Sequence, residues 1–182
     1  AAGIQVPENV ADIEPPGGID VAHAVRLIAA AMQLDARAQE ERQVRAGVWN
    51  HGAAEGWQRT VAALVHREVA ASAPEEAFWI ARAAMLDGVA AEVDLRFHAG
   101  AEEWEALAAW AGSVGGLADR ELVVLQERVV GAPMAAAAAG LAHEGWQSWY
   151  AEEGATAGEL VALTLPTCWL PVPLARWAMQ IK

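Results

Sequence analysis

The chain has 182 residues, of which 55% are hydrophobic types, enough for one compact domain whose core needs no staples. Twelve basic residues stand against 24 acidic ones, a net charge of −12, and Lys182 is the only lysine. A field of that sign repels phosphate backbones and anionic lipid, which argues against nucleic-acid and membrane partners.

Forty-four of the residues are alanine, so the apolar fraction is large by number and thin by volume, with nine tryptophans among the bulky residues. Residues 1–18 hold three of the eight prolines and no helical period, and read as an extended arm. A long helix is predicted from Ile19 or Asp20 to Ala46, with Val21, Val25, Ile28 and Met32 as its apolar stripe and an almost wholly polar second half. After the turn-like Val48–Gly56, a second helix runs from Glu55 to Ala71 with Trp57, Val61, Leu64, Val65 and Val69 on one face. Ser72 and Glu75 form a capping-box pattern before a third helix, whose stripe is Trp79, Ala83, Leu86, Ala90, Val93 and Phe97. Within it, Glu92–His98 also alternates polar and apolar as a strand does; helix is preferred because a strand there has no evident partner.

Shorter helices follow over Ala101–Ala111, Asp119–Val130 and Pro133–Ala151. Thr156 and Glu159 make a second capping box, opening a helix that Pro166 ends. The segment 166–182 reads as extended and proline-stiffened, with a last helical turn or two after Leu174. The alanine run Ala135–Ala139 with Gly140 lets two helix axes approach closely and should lie against another backbone. The longest apolar run, Val129–Ala142, is short of the ~20 residues of a membrane span and contains Pro133.

The expected fold is therefore all-α or nearly so, one domain of six or seven helices over 19–165 with extended arms at both ends. An α+β alternative takes Glu92–His98 and Glu159–Leu165 as strands.

No phosphate-loop, dinucleotide, nucleophile-elbow or zinc-protease motif occurs. His23, His51, His66, His98 and His143 are dispersed; the nearest approach to a ligand set is Glu92, His98 and Glu102, and no metal or other cofactor is expected. Cys168, the only cysteine, reads as a small buried hydrophobe, and no disulfide can form within the chain. No catalytic residue stands out.

The most unusual feature is the tryptophan use. Trp146, Trp149 and Tyr150 lie within a turn and a half of helix and by their angular spread should not all face one core. With Trp169 and Trp177 they are the candidate interface anchors, the C-terminal segment being expected to dock on the Trp146/Trp149 face of this chain or a neighbour. The reading that follows is a non-catalytic assembly or adaptor subunit of a bacterial or phage complex, cytoplasmic, with other protein subunits as partners. The alternative is a small helical enzyme or ligand-binding domain with a Trp-lined pocket. Inward-facing Glu or His around a cavity would favour the alternative; exposed Trp and projecting arms would favour assembly.

Overall fold

The structure, a computed structural model, describes residues 21–40, 49–154 and 156–180. These form eight α-helices and no strand. They are α1 (Val21–Ala38), α2 (His51–Val69), α3 (Pro74–His98), α4 (Trp104–Gly115), α5 (Asp119–Gly131), α6 (Ala135–Glu153), α7 (Ala157–Thr164) and α8 (Val172–Gln180), with a 3-10 turn at Leu165–Thr167. The all-α expectation holds, and Glu92–His98 is the last part of α3. The first helix ends at Ala38, with Gln39 in a turn, short of the expected end at Ala46; the predicted arm over 1–18 and residues 41–46 lie outside the described residues.

Helix α2 is the central element, packed on α6, α1 and α3. It begins at His51, inside the stretch that reads as a turn, because Asn50 caps it by accepting from the Ala53 amide at 2.7 Å. Gly52 and Gly56, which suggest a loop in the sequence, face α6. A Cβ on Gly56 would lie 2.6 Å from the Ala142 Cβ and 2.7 Å from the Ala139 carbonyl; on Gly52 it would lie 2.8 Å from the Ala138 Cβ. The alanine run thus meets a backbone, as its composition implies, and that backbone is α2. On the other side Gly140 brings α6 against Ala91 of α3.

Three expectations need correction. The inward face of α1 is Ala22, Ala29 and Gln33, whereas Ile28 is 62% exposed and Met32 lies on the outer side. Close approach to α2 and α3 selects small residues at the fully buried positions; Val21 and Val25 of the expected stripe pack half-buried on the core, and only Ile28 and Met32 turn outward. Helix α3 is capped without Ser72, whose hydroxyl donates back to the Val69 carbonyl; Pro74 starts the helix, where no amide hydrogen is required. The C-terminal segment is not an extended arm. Leu165–Thr167 is a 3-10 turn and Val172–Gln180 is helical, with Pro173 tolerated in the first turn.

The core has two main parts. One joins α4 and α5 to α3 through Val93, Leu107, Ala111 and Val129. The larger gathers Trp57, Trp146, Trp149, Tyr150 and Trp169 between α2, α6 and the C-terminal turn. Thr164 is its polar hub: its hydroxyl accepts from Trp57 Nε1 at 2.8 Å and from the Tyr150 hydroxyl at 3.1 Å, and donates to the Leu160 carbonyl at 2.9 Å. Both lone pairs and the one proton are used. Burial pushes the Tyr150 phenol up to about 12 and the Cys168 thiol up to about 12.

The glycines divide by what a methyl group would meet. Gly56→Ala should lose about 1–3 kcal/mol by overpacking the α2–α6 contact. Gly88→Ala, with nothing within 4 Å of the added Cβ in the middle of α3, should gain about 0.5–1 kcal/mol from the unfolded-state entropy of glycine. Urea unfolding of the two variants checks the opposite signs.

Candidate functional site

Where α1, α2, α3 and α6 meet, the small-residue contacts leave a cavity of about 310 Å³. Its walls are mostly Ala, Gly and Ile, and its floor is charged: Arg26 from α1, Arg59 from α2, Asp87 from α3 and His143 from α6. Each comes from a different helix. Asp87 lies within the apolar face of α3, four residues after Ala83 and three before Ala90, so the geometry of that helix carries it inward.

Both arginines converge on the Asp87 carboxylate. Arg26 pairs with both oxygens through Nη1 and Nη2, and Arg59 Nε lies 3.7 Å from Oδ2. Arg59 is 5% exposed and also donates from Nη2 to Glu55 Oε1 at 2.6 Å. Glu55 is shared in turn with Arg128 of α5 at 2.7 Å. The Nε atoms of Arg26 and Arg59 are buried and make no hydrogen bond. A buried guanidinium retains its charge, so an incoming acceptor gains most at the part of Arg59 that lines the cavity, not at these enclosed Nε atoms.

His143 sits beside them. Thr60 Oγ1 lies 2.8 Å from the Gly56 carbonyl and 2.9 Å from His143 Nδ1, a hydrogen bond that holds the ring by that nitrogen. Burial, and next the charge of Arg59, hold the imidazole below its ordinary value. Glu92 and Glu144 stand at the rim with Leu95 and Leu141.

A second buried carboxylate, Asp94, lies two turns beyond Asp87 on α3 and has a different task. It accepts from the Met134 and Ala137 amides at 2.9 and 3.0 Å and pairs with His98 Nδ1 at 2.9 Å. It therefore caps α6 from a neighbouring helix, and Met134 takes a left-handed conformation, φ 62°, to present its amide.

The tryptophan-based candidates fall elsewhere. Trp146, Trp149, Tyr150 and Trp169 are all buried in one core cluster, which corrects the expectation that the first three cannot face a single core. Within α6 the rings of Trp146, Trp149 and Tyr150 pack edge-on, tilted and stacked, with centroids 5.5–6.3 Å apart. The C-terminal turn closes over the Trp146/Trp149 face of its own chain. Trp177 is 61% exposed, and no tryptophan lines the charged cavity. Of the suggested ligand set, Glu92 and Glu102 both pair with Arg96 and His98 with Asp94. Among the described residues no group of three or more His, Cys, Asp or Glu side chains is placed to hold a metal ion, and no single helix is long and apolar enough to cross a membrane.

Compared with protein-family models, curated proteins and solved structures, the chain matches none.

The lowered His143 pKa gives the site a signature in stability. Between that lowered value and about 6.5 the unfolded chain binds a proton that the native chain does not. Stability is then complete above about pH 6.5 and is lost as pH falls through that window. Urea unfolding at about pH 5 and about pH 7 should show a smaller loss in His143→Gln than in the wild type. Equal losses in the two proteins would mean that another group titrates.

Proposed function

We propose that the chain is a helical ligand-binding domain whose site is the charged cavity between α1, α2, α3 and α6. One observation carries this reading: a nearly fully buried arginine, Arg59, lines a cavity together with Arg26, Asp87 and His143. Its concavity, apolar walls and few convergent polar groups are the usual make-up of a small-ligand site, and its volume is at the small end of the ~300–1,000 Å³ range. The pocket is lined by arginine, aspartate and histidine in place of tryptophan, and the reading extends to binding without a reaction. An amide-detected NMR screen with small acids, amines and neutral molecules should yield hits that shift Gly88 and Gly140, both on the cavity wall. Hits confined to other surfaces would overturn it.

A second reading, an assembly subunit that contacts other proteins, is favoured by the outer face of α1. Leu27, Ile28, Met32 and Leu34 are exposed there while alanines face the core; on α8, Leu174 and Trp177, three residues apart, are exposed as well. Apolar side chains grouped on one helix face are a usual mark of a protein contact. Under this reading, light scattering gives the wild type a mass above that of one chain. The Ile28→Glu, Leu34→Glu double variant then returns to one chain's mass with its circular dichroism unchanged. A wild type that already scatters as a single chain removes self-association from the possibilities.

A further inference from the structure

We infer that the cavity takes a small monocarboxylate with an apolar tail, its carboxylate seated on Arg59 and its tail running toward Leu95 and Leu141. This names the ligand class of the site proposed above and rests on that reading.

The chemistry of the floor selects an anion with a planar pair of acceptors. Arg59 cannot give up its charge, and it offers five N–H donors in a fixed fork. Its one short contact is to Glu55, and its Nε faces Asp87 across 3.7 Å, beyond hydrogen-bond length. Arg26 already commits two donors to Asp87 while its own Nε has no hydrogen bond. Arg26 and Arg59 thus converge on Asp87 while Arg59 and Arg128 share Glu55, three guanidinium groups for two carboxylates, and a further carboxylate balances the set. A guanidinium and a carboxylate match as parallel forks, in a buried setting where such bonds are strong.

The walls and the mouth select the rest of the molecule. Ala91, Ala137 and Gly140 line the cavity on the side of Leu95 and Leu141, and Leu141 is 72% exposed. Glu92 and Glu144 flank that mouth. Their charge repels a second anionic group on the tail, so a dicarboxylate or phosphorylated ligand is disfavoured relative to a monoacid. His143, held neutral, adds no third cation at the floor.

Hexanoate, hexanamide and hexanedioate, titrated by calorimetry into the whole chain at about pH 7, separate these elements, because aliphatic acids are ionised there. Hexanoate should bind and raise the melting temperature. Hexanamide, which lacks the charge, should bind at least about tenfold more weakly, as the loss of a charge-assisted bond implies, and hexanedioate, which puts a second charge at the mouth, several-fold more weakly through repulsion by Glu92 and Glu144. Arg59→Lys keeps the charge and loses the fork; it should weaken hexanoate about tenfold and leave hexanamide unchanged. Since Arg59 is buried, Leu141→Glu at the exposed mouth provides a variant that leaves the interior alone, and it should weaken hexanoate several-fold. Hexanamide binding as tightly as hexanoate, with Gly88 and Gly140 amides shifted, would overturn the carboxylate class and leave the ligand-binding site standing. No heat from any of the three, with those amides unmoved, overturns both. Hexanoate affinity unchanged in both variants places the ligand elsewhere and overturns the proposal.

Discussion

The fold turns on one close approach, that of α2 to α6 at Gly52 and Gly56. With no side chain at these positions, the Ala138, Ala139 and Ala142 turns of α6 come against the α2 backbone at distances no Cβ allows. Alanine and glycine bury little area each, so this contact gains from backbone proximity and dispersion more than from transfer of large side chains out of water. The bulk is supplied beside it, by the tryptophans. Trp57 leaves α2 and Trp146 and Trp149 leave α6 near the same level, and the C-terminal turn adds Trp169. A small-residue seam and an aromatic cluster are two halves of one packing solution: the seam fixes the distance and the rings fill what lies next to it.

That seam also explains why charge is found inside. Helices that meet through alanine and glycine leave volume where a third and fourth helix join them, and at the α1–α2–α3–α6 junction the volume is bordered by Arg26, Arg59, Asp87 and His143. Two turns away on α3 the other buried aspartate, Asp94, is fully used as a cap for α6. The contrast between the two carboxylates is instructive. Asp94 meets two amides and an imidazole, a closed set with a structural purpose. Asp87 meets two guanidinium groups that keep unspent donors.

Much of the fold is legible in the sequence, for reasons that can be traced. The stripe of α3, the Leu125 and Val129 face of α5 and the Thr156–Glu159 box depend on local spacing, which a helix preserves; the box forms with Thr156 N donating to Glu159 Oε2 at 2.9 Å. The inward face of α1 is not legible from residue size, because the deciding constraint is how near its neighbours come, and that is set by glycines on another helix. The fate of Trp146, Trp149 and Tyr150 was hidden in the same way: the C-terminal segment wraps the far side of α6, so the rings face protein over a wider arc than one helix partner covers. The charged site is spread over positions 26, 59, 87 and 143, and no local motif joins them. A weaker signal was available. Asp87 and Asp94 interrupt the apolar face of α3 at i+4 from Ala83 and Ala90, and an acid placed inside a core stripe requires a partner of opposite charge or a helix end.

The energetics of the Arg26–Asp87–Arg59 group bear on why it is there. Taking a guanidinium and a carboxylate out of water costs several kcal/mol per ion, and their mutual attraction repays this only when geometry is good and the remaining hydrogen-bond sites are filled. Apolar residues of like volume often stabilise such a position as well or better. Arg59 is nearly fully buried, yet its Nε makes no hydrogen bond, so the group is poorly suited as a device for stability alone. On the ligand-binding reading, what gains is the part of Arg59 that lines the cavity, since a bond formed there by a ligand's acceptors meets little competition from water. If the proposed ligand-binding role holds, the cost of burying the group is the preorganisation that the ligand would otherwise have to supply.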